Sequence, residues 1–209
     1  QIEEYISHGD LKTIRDLVGL LRADGLIVHV NPLQEWLQPE GDRIKHPPIE
    51  TIRELVRQVD FHVVVKEVGQ GMGRESLKAL LELPLAAIEF GAFGGTNFAK
   101  LELLRDESGQ KSLLEPLSYI GQTAEDMITD VNQLYQEGTG IKTHSLIIAG
   151  GIKNFLDGYH LISKSPMPAA YGMASTFLKY AREDYQTLKR FTQGQLEGLK
   201  VAHTYLRVL

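Results

Sequence analysis

Five short, near-continuously apolar runs divide this chain, and each leads into glycine or polar residues and then a segment of helical spacing. The runs are Leu26–Asn31, Phe61–Glu67, Ala86–Gly91, Ser145–Gly150 and Ala169–Met173. Strands that are apolar on both faces belong to parallel sheets with helices packed over them. The intervening segments fit that role. Ile49, Ile52, Leu55, Val56 and Val59 fall on one helical face, as do Leu77, Leu80 and Leu81, and again Ala124, Met127, Ile128, Val131 and Leu134. Ahead of the first run, Leu11, Ile14, Leu17, Val18 and Leu21 form another such face, with Asp10 placed to cap it. A helix is expected from about Phe155 to Ser163. Arg105 to Tyr119 reads as an irregular surface excursion. Ser175 to Leu209 reads as helical with a break near Thr192-Gln193-Gly194.

Repeated βα units of this kind predict an α/β fold with a parallel sheet. Two architectures accommodate them. An open doubly wound sheet gathers its functional loops at one switch point, whereas a (β/α)8 TIM barrel pools the C-terminal ends of all its strands at one mouth. The glycine-rich and polar signals here follow four or five successive strands, which favours the barrel. Five strands cannot close one. The chain has 209 residues and starts at Gln1, short of the roughly 250 typical of a full barrel. The expectation is therefore a single barrel domain over 1–209. It would hold the C-terminal five or so βα units plus terminal helices, with N-terminal βα units missing.

Composition narrows the function classes. The formal net charge is −5 and no basic run stands out, which argues against a nucleic-acid or anionic-membrane surface. No apolar stretch approaches the length of a membrane span, and no signal peptide is recognisable. Cysteine is absent, which removes thiolate metal sites and cysteine nucleophiles. A cytoplasmic location is expected.

The chemistry-bearing residues cluster at strand ends. Alternation places Ile27, His29 and Asn31 on one face, and Pro32 ends the pairing. Leu33-Gln34-Glu35 would then lie at the mouth. An imidazole, two amides and a carboxylate within seven residues suit an anionic or hydroxylated substrate, with Glu35 able to hold a hard cation such as Mg²⁺. A polar strand end with His29 as a hydrogen-bonded core histidine is the plainer account. Lys66 ends an apolar strand. It either contacts an anionic ligand or pairs with Glu67 or Glu89, since a buried ammonium requires a partner. The loop Gly91-Ala92-Phe93-Gly94-Gly95-Thr96-Asn97-Phe98 permits close backbone approach to a ligand. Gly69-Gln70-Gly71-Met72-Gly73 reads as the turn into a helix at Arg74. Gly150-Gly151-Ile152-Lys153-Asn154 and Gly172-Met173-Ala174 each open a helix. As adjacent late loops they match a barrel phosphate site, although Asn154 also fits an ordinary N-cap. The other histidines show no zinc spacing.

These motifs together resemble type 2, FMN-dependent isopentenyl diphosphate isomerase. The resemblance rests on His29-Val30-Asn31-Pro32-Leu33-Gln34-Glu35 followed by Gln38-Pro39-Glu40-Gly41-Asp42. In order after it come Val65-Lys66-Glu67-Val68-Gly69, Phe93-Gly94-Gly95-Thr96-Asn97-Phe98-Ala99, and Gly150-Gly151-Ile152 with Asp157. It runs from about Ala23 to the final helices. It implies interconversion of isopentenyl and dimethylallyl diphosphate with reduced FMN and Mg²⁺, the flavin being reduced by NADPH or NADH. It implies a small-molecule diphosphate substrate and a homotetramer or larger assembly. By position, His29, Asn31 and Gln34 would contact substrate, with His29 and Gln34 nearest the chemistry. Glu35 would bind Mg²⁺. Lys66, Gly91 and Thr96 would contact FMN, and Gly150, Gly151, Met173 and Ala174 would form its phosphate loops. Gly91 stands where many members have serine, and Lys153 where arginine is common. The segment 106–119 departs from the family pattern. The absent N-terminal portion would supply part of the FMN and diphosphate sites, so the chain alone is not expected to be a competent enzyme. The rival readings are an FMN-dependent 2-hydroxy-acid oxidase, which would need a late His and Arg that are not seen here, and a non-catalytic barrel fragment.

Overall fold

The computed structural model describes residues 2–38, 40–41, 44–105, 111–138 and 140–208. Two helices, α1 (Ile2–Ser7) and α2 (Leu11–Leu20), precede strand β1 (Gly25–His29). Helices α3 (Pro32–Leu37) and α4 (Pro48–Gln58) lead to β2 (His62–Lys66), and α5 (Arg74–Leu81) leads to β3 (Ala87–Glu89). Then come α6 (Phe98–Arg105), α7 (Lys111–Leu114), a 3-10 turn (Glu115–Tyr119) and α8 (Ala124–Gln136). Strand β4 (Leu146–Ala149), α9 (Phe155–Lys164), β5 (Ala169–Gly172), α10 (Ser175–Ala181) and α11 (Tyr185–Tyr205) complete the chain.

All five strands are parallel and lie in the order β1-β2-β3-β4-β5. A doubly wound sheet reverses its strand order at the switch point. Strictly sequential order, with the right-handed crossovers that parallel strands adopt, keeps the connecting helices on one face. This is barrel winding, as expected from the distribution of the loops. Register separates the two faces. Val28, Val65, Ile88 and Leu146 align across β1 to β4 and are buried with Val63 and Ile148 against the helices. The helical partners include Ile52 and Leu55 of α4, Leu77 and Leu81 of α5, and Met127, Ile128, Val131 and Leu134 of α8. The opposite face is more open, and Ile27 on β1 is 58% exposed there.

Local signals account for most element boundaries. Asp10 caps α2 by accepting from the Thr13 amide, and Thr123 and Asp126 form a reciprocal capping box on α8. Gly73 precedes α5 at Arg74, as the glycine-rich turn suggested. The helical break falls elsewhere than expected. Helix α11 runs unbroken through Gly194, and the chain instead turns between α10 and α11, where Asp184 caps α11. A mid-helix glycine costs only about 1 kcal/mol, less than twenty-one residues of continuous helix recover. Within 106–119, residues 106–110 lie outside the described positions, and 111–119 form α7 and the 3-10 turn. Among the described residues no helix is long and apolar enough to cross a membrane.

Candidate functional site

The strand ends on the open face carry a row of ionisable groups. His29, Lys66 and Glu89 are register partners across β1, β2 and β3. Lys66 Nζ lies 3.3 Å from Glu89 Oε1, so the ion pair considered from sequence forms with Glu89. The Lys66 side chain stays about one-third exposed, which leaves room for a ligand anion as well. His29 is solvent-accessible at the rim. Partial desolvation is the main cause lowering its pKa; nearby Lys66 adds to the lowering and Glu35 opposes it. Its surroundings therefore favour the neutral imidazole.

Asn31 lies in the same groove as His29 but is buried where His29 is exposed. Pairing with β2 persists through Val30, whose N–H donates to the Lys66 carbonyl, and the chain then turns into α3. Pro32 sits at its first position, where no intrahelical donor is needed. Asn31 becomes the N-cap, its Oδ1 accepting from the Gln34 amide at 3.0 Å. A helix start, not a continuing strand, follows His29, so Asn31 is held as a cap rather than by strand pairing. Asn31 is only 2% exposed and its Nδ2 is buried without a partner.

Gln34 carries the complementary orphan. Its Nε2 donates to Glu102 Oε1 at 3.2 Å, while its Oε1 is buried and unpaired. Glu102 on α6 is 3% exposed. It also accepts from Gln38 Nε2 at 2.8 Å and from Arg105 Nη1 at 2.7 Å, and Arg105 continues to Glu40. A carboxylate can only accept, so Glu102 fixes which end of the Gln34 amide faces it. Sequence reasoning missed Glu102. The available signal was an acidic residue on the helical face of Ala99 and Leu103, where an unpaired charge is costly. Glu35 lies on the first turn of α3, and His29, Asn31 and Glu35 line one groove of about 570 Å³ along the free edge of β1.

The glycine loops converge on a second location. Gly150 and Gly151 have positive φ, and their backbone rests directly against Gly94 and Gly95 of the β3–α6 loop. Gly94, Gly150 and Gly151, together with Phe93, Lys153 and Asp157, line a cleft of about 460 Å³. Thr96 is exposed on the same loop. The β5–α10 connection, Met173-Ala174, adjoins this region through the Ala149–Gly172 pairing and a bond from Thr176 Oγ1 to the Lys153 carbonyl. Asn154 does cap α9, accepting from Leu156 N and Asp157 N. The amides of that first turn are thus largely committed. Gly91 is buried with φ near +50°, and a Cβ there would meet the Glu67 carbonyl oxygen at 1.9 Å. In this backbone no side chain fits at that position. Of the expected residues, His29, Asn31 and Glu35 thus line one cleft and Gly150 and Gly151 the other, while Gln34, Lys66, Gly91, Thr96, Met173 and Ala174 line neither.

No protein-family model matches the chain. Curated relatives do, and they are named isopentenyl-diphosphate delta-isomerase. That of Bacillus pumilus is 35% identical over 173 residues, 83% of this chain and 45% of the relative. That of Methanosarcina mazei is 33% identical, covering 97% of this chain and 52% of the relative. That of Ignicoccus hospitalis is 30% identical, covering 91% and 52%. The chain thus spans about half the length of the curated relatives it matches. Among solved structures, a doubly substituted flavocytochrome b2 with sulfite bound superposes with a TM-score of 0.62 at 15% identity, covering 95% of this chain and 48% of that one. At that identity the likeness concerns the fold.

Proposed function

We propose that the protein carrying this chain is a type 2 isopentenyl-diphosphate delta-isomerase that uses FMN and Mg²⁺. The observation that carries the reading is the pair of buried, unpartnered amide atoms, Asn31 Nδ2 and Gln34 Oε1, held at one helix start beside the accessible His29. Such orphans cost about 1–3 kcal/mol each unless a ligand satisfies them, and the relatives at 30–35% identity supply the reaction.

The residues present fit the implied groups. Lys66 offers a cation to the electron-rich edge of a flavin while Glu89 holds it in place. Gly150 and Gly151 offer exposed backbone for the FMN phosphate. Ala174 caps α10 without a side-chain bond, which leaves amides there for the same phosphate. Thr96 and Met173 complete the flavin-facing surface, with the buried Gly91 supporting the loop behind them. Mg²⁺ takes few carboxylates and shares phosphate oxygens. Glu35 suits that role, and among the described residues no cluster of three or more His, Cys, Asp or Glu could hold a metal ion.

Reduced FMN supplies the proton donor and acceptor when bound, and NADPH or NADH keeps it reduced. The chain's own residues bind and orient. Neutral His29 and the Asn31 amide donate to the substrate's diphosphate end. Gln34, its amide fixed by Glu102, presents its carbonyl oxygen toward the reacting carbons. The bonds from Gln34 and Gln38 to Glu102 brace α3 against α6, and Arg105 and Glu40 extend that network. A homotetramer or larger assembly belongs to the same proposal. Purified protein should be yellow or become so with FMN; a preparation that FMN cannot colour would remove the cofactor. Glu35→Gln should abolish Mg²⁺-dependent turnover while keeping FMN, and unchanged turnover would take Glu35 out of the metal site.

A further inference from the structure

Glu67 follows Lys66 in an extended chain, so the two side chains point to opposite faces of the sheet. Lys66 reaches the open face, and Glu67 is buried at 6% exposure. Burial of an acidic group is unfavourable, and desolvation is the main cause pushing its pKa up. Something must hold it there. Its Oε2 accepts three backbone amides in succession, from Gly69 at 2.7 Å, Gln70 at 2.8 Å and Gly71 at 2.8 Å. Consecutive amides turned inward form a nest that binds an anion. Here the chain supplies its own.

The turn wrapped around this carboxylate is the support for the β3–α6 loop. Gly71 N–H donates to the Gly91 carbonyl at 3.2 Å. Gln122 N–H donates to the Gln70 carbonyl at 2.7 Å, and the Gln122 carbonyl accepts from Phe93 N–H at 2.8 Å. Gly69 lies so close to the Thr96 carbonyl that a Cβ would come within 2.6 Å, and Gly91 abuts Glu67's own carbonyl. These contacts tie the turn at residues 69–71 to the loop at residues 91–96.

We propose that Glu67 is a positioning residue. By filling the amide nest of residues 69–71 it sets the height of the Gly91–Thr96 loop and the direction in which Lys66 leaves β2, and so the contacts offered to the flavin. The last step rests on the FMN reading above.

Two variants and two readouts test it. Glu67→Gln retains a carbonyl oxygen that can accept the three amides; Glu67→Leu retains none. In hydrogen exchange on the flavin-free protein, Glu67→Leu should speed exchange at Gly69, Gln70 and Phe93 by about tenfold or more, with Glu67→Gln within about threefold of wild type. Exchange in α11 should not change. Equal protection in all three proteins, or loss spread over the whole chain in Glu67→Leu, would overturn the proposal. In FMN titrations of the full-length protein, Glu67→Leu should weaken binding about tenfold and Glu67→Gln should restore it. Identical FMN affinity in all three would also overturn it. A wild type that binds no FMN instead refutes the proposed function, and the exchange measurements then decide the positioning role alone.

Discussion

Replacing Glu102 by alanine should release α3 from α6. Three donors converge on this carboxylate. Arg105 is half-exposed and finds water and Glu40 when Glu102 is gone, so it adds little. Gln34 is the costly one. Its Nε2 lies in a residue only 9% exposed and has Glu102 as its partner, and a buried donor left unsatisfied costs about 1–3 kcal/mol. Gln38 is half-buried and loses about 0.5–1 kcal/mol. The sum is about 3 kcal/mol, which corresponds to roughly 6–12 °C in Tm for a chain of this size. Urea denaturation of Glu102→Ala, Gln34→Ala and the double variant isolates the pair. The cycle should show about 1–2 kcal/mol of coupling, because once Gln34 is gone no orphan remains. A loss below about 0.5 kcal/mol in Glu102→Ala, or strict additivity, would refute the claim that this carboxylate fixes the Gln34 amide.

His29 should titrate below its ordinary value of about 6.5, because desolvation disfavours the imidazolium. Its contribution to stability is then complete above that value and is lost as pH falls through the folded midpoint. An NMR titration should show this midpoint dropping further in Glu35→Gln and rising in Lys66→Met; a wild-type midpoint above 6.5 would reverse the argument. Gly91→Ala should destabilise the chain by more than about 2 kcal/mol, since both the positive φ and the Glu67 carbonyl oppose a side chain. An unchanged denaturation midpoint would show that the loop yields easily.

The sheet was legible because its signals are local. Five apolar runs and the capping residues Asp10 and Asn154 each act within a few positions. Sequential strand order was inferred only indirectly, from the spread of loops over successive strands. The site was half-legible. His29, Glu35, Lys66 and the glycine pairs were marked by their residue types, but the state of each depends on distant partners. Glu102 lies 68 residues from Gln34, and no periodicity connects them. Asn31 was placed with His29, but its role as a helix cap was not legible, because the helix that follows decides it. Gly91 appeared to be a missing side chain, yet the backbone of Glu67 leaves no room for one.

The central claim concerns a reaction that needs flavin without net oxidation. The direct measurement is incubation of the full-length protein with isopentenyl diphosphate and Mg²⁺, with reduced FMN, with oxidised FMN and without flavin. The account predicts dimethylallyl diphosphate from the reduced-FMN sample, with no stoichiometric consumption of nicotinamide nucleotide. Absence of the isomer from that sample, or equal conversion without flavin, would contradict it.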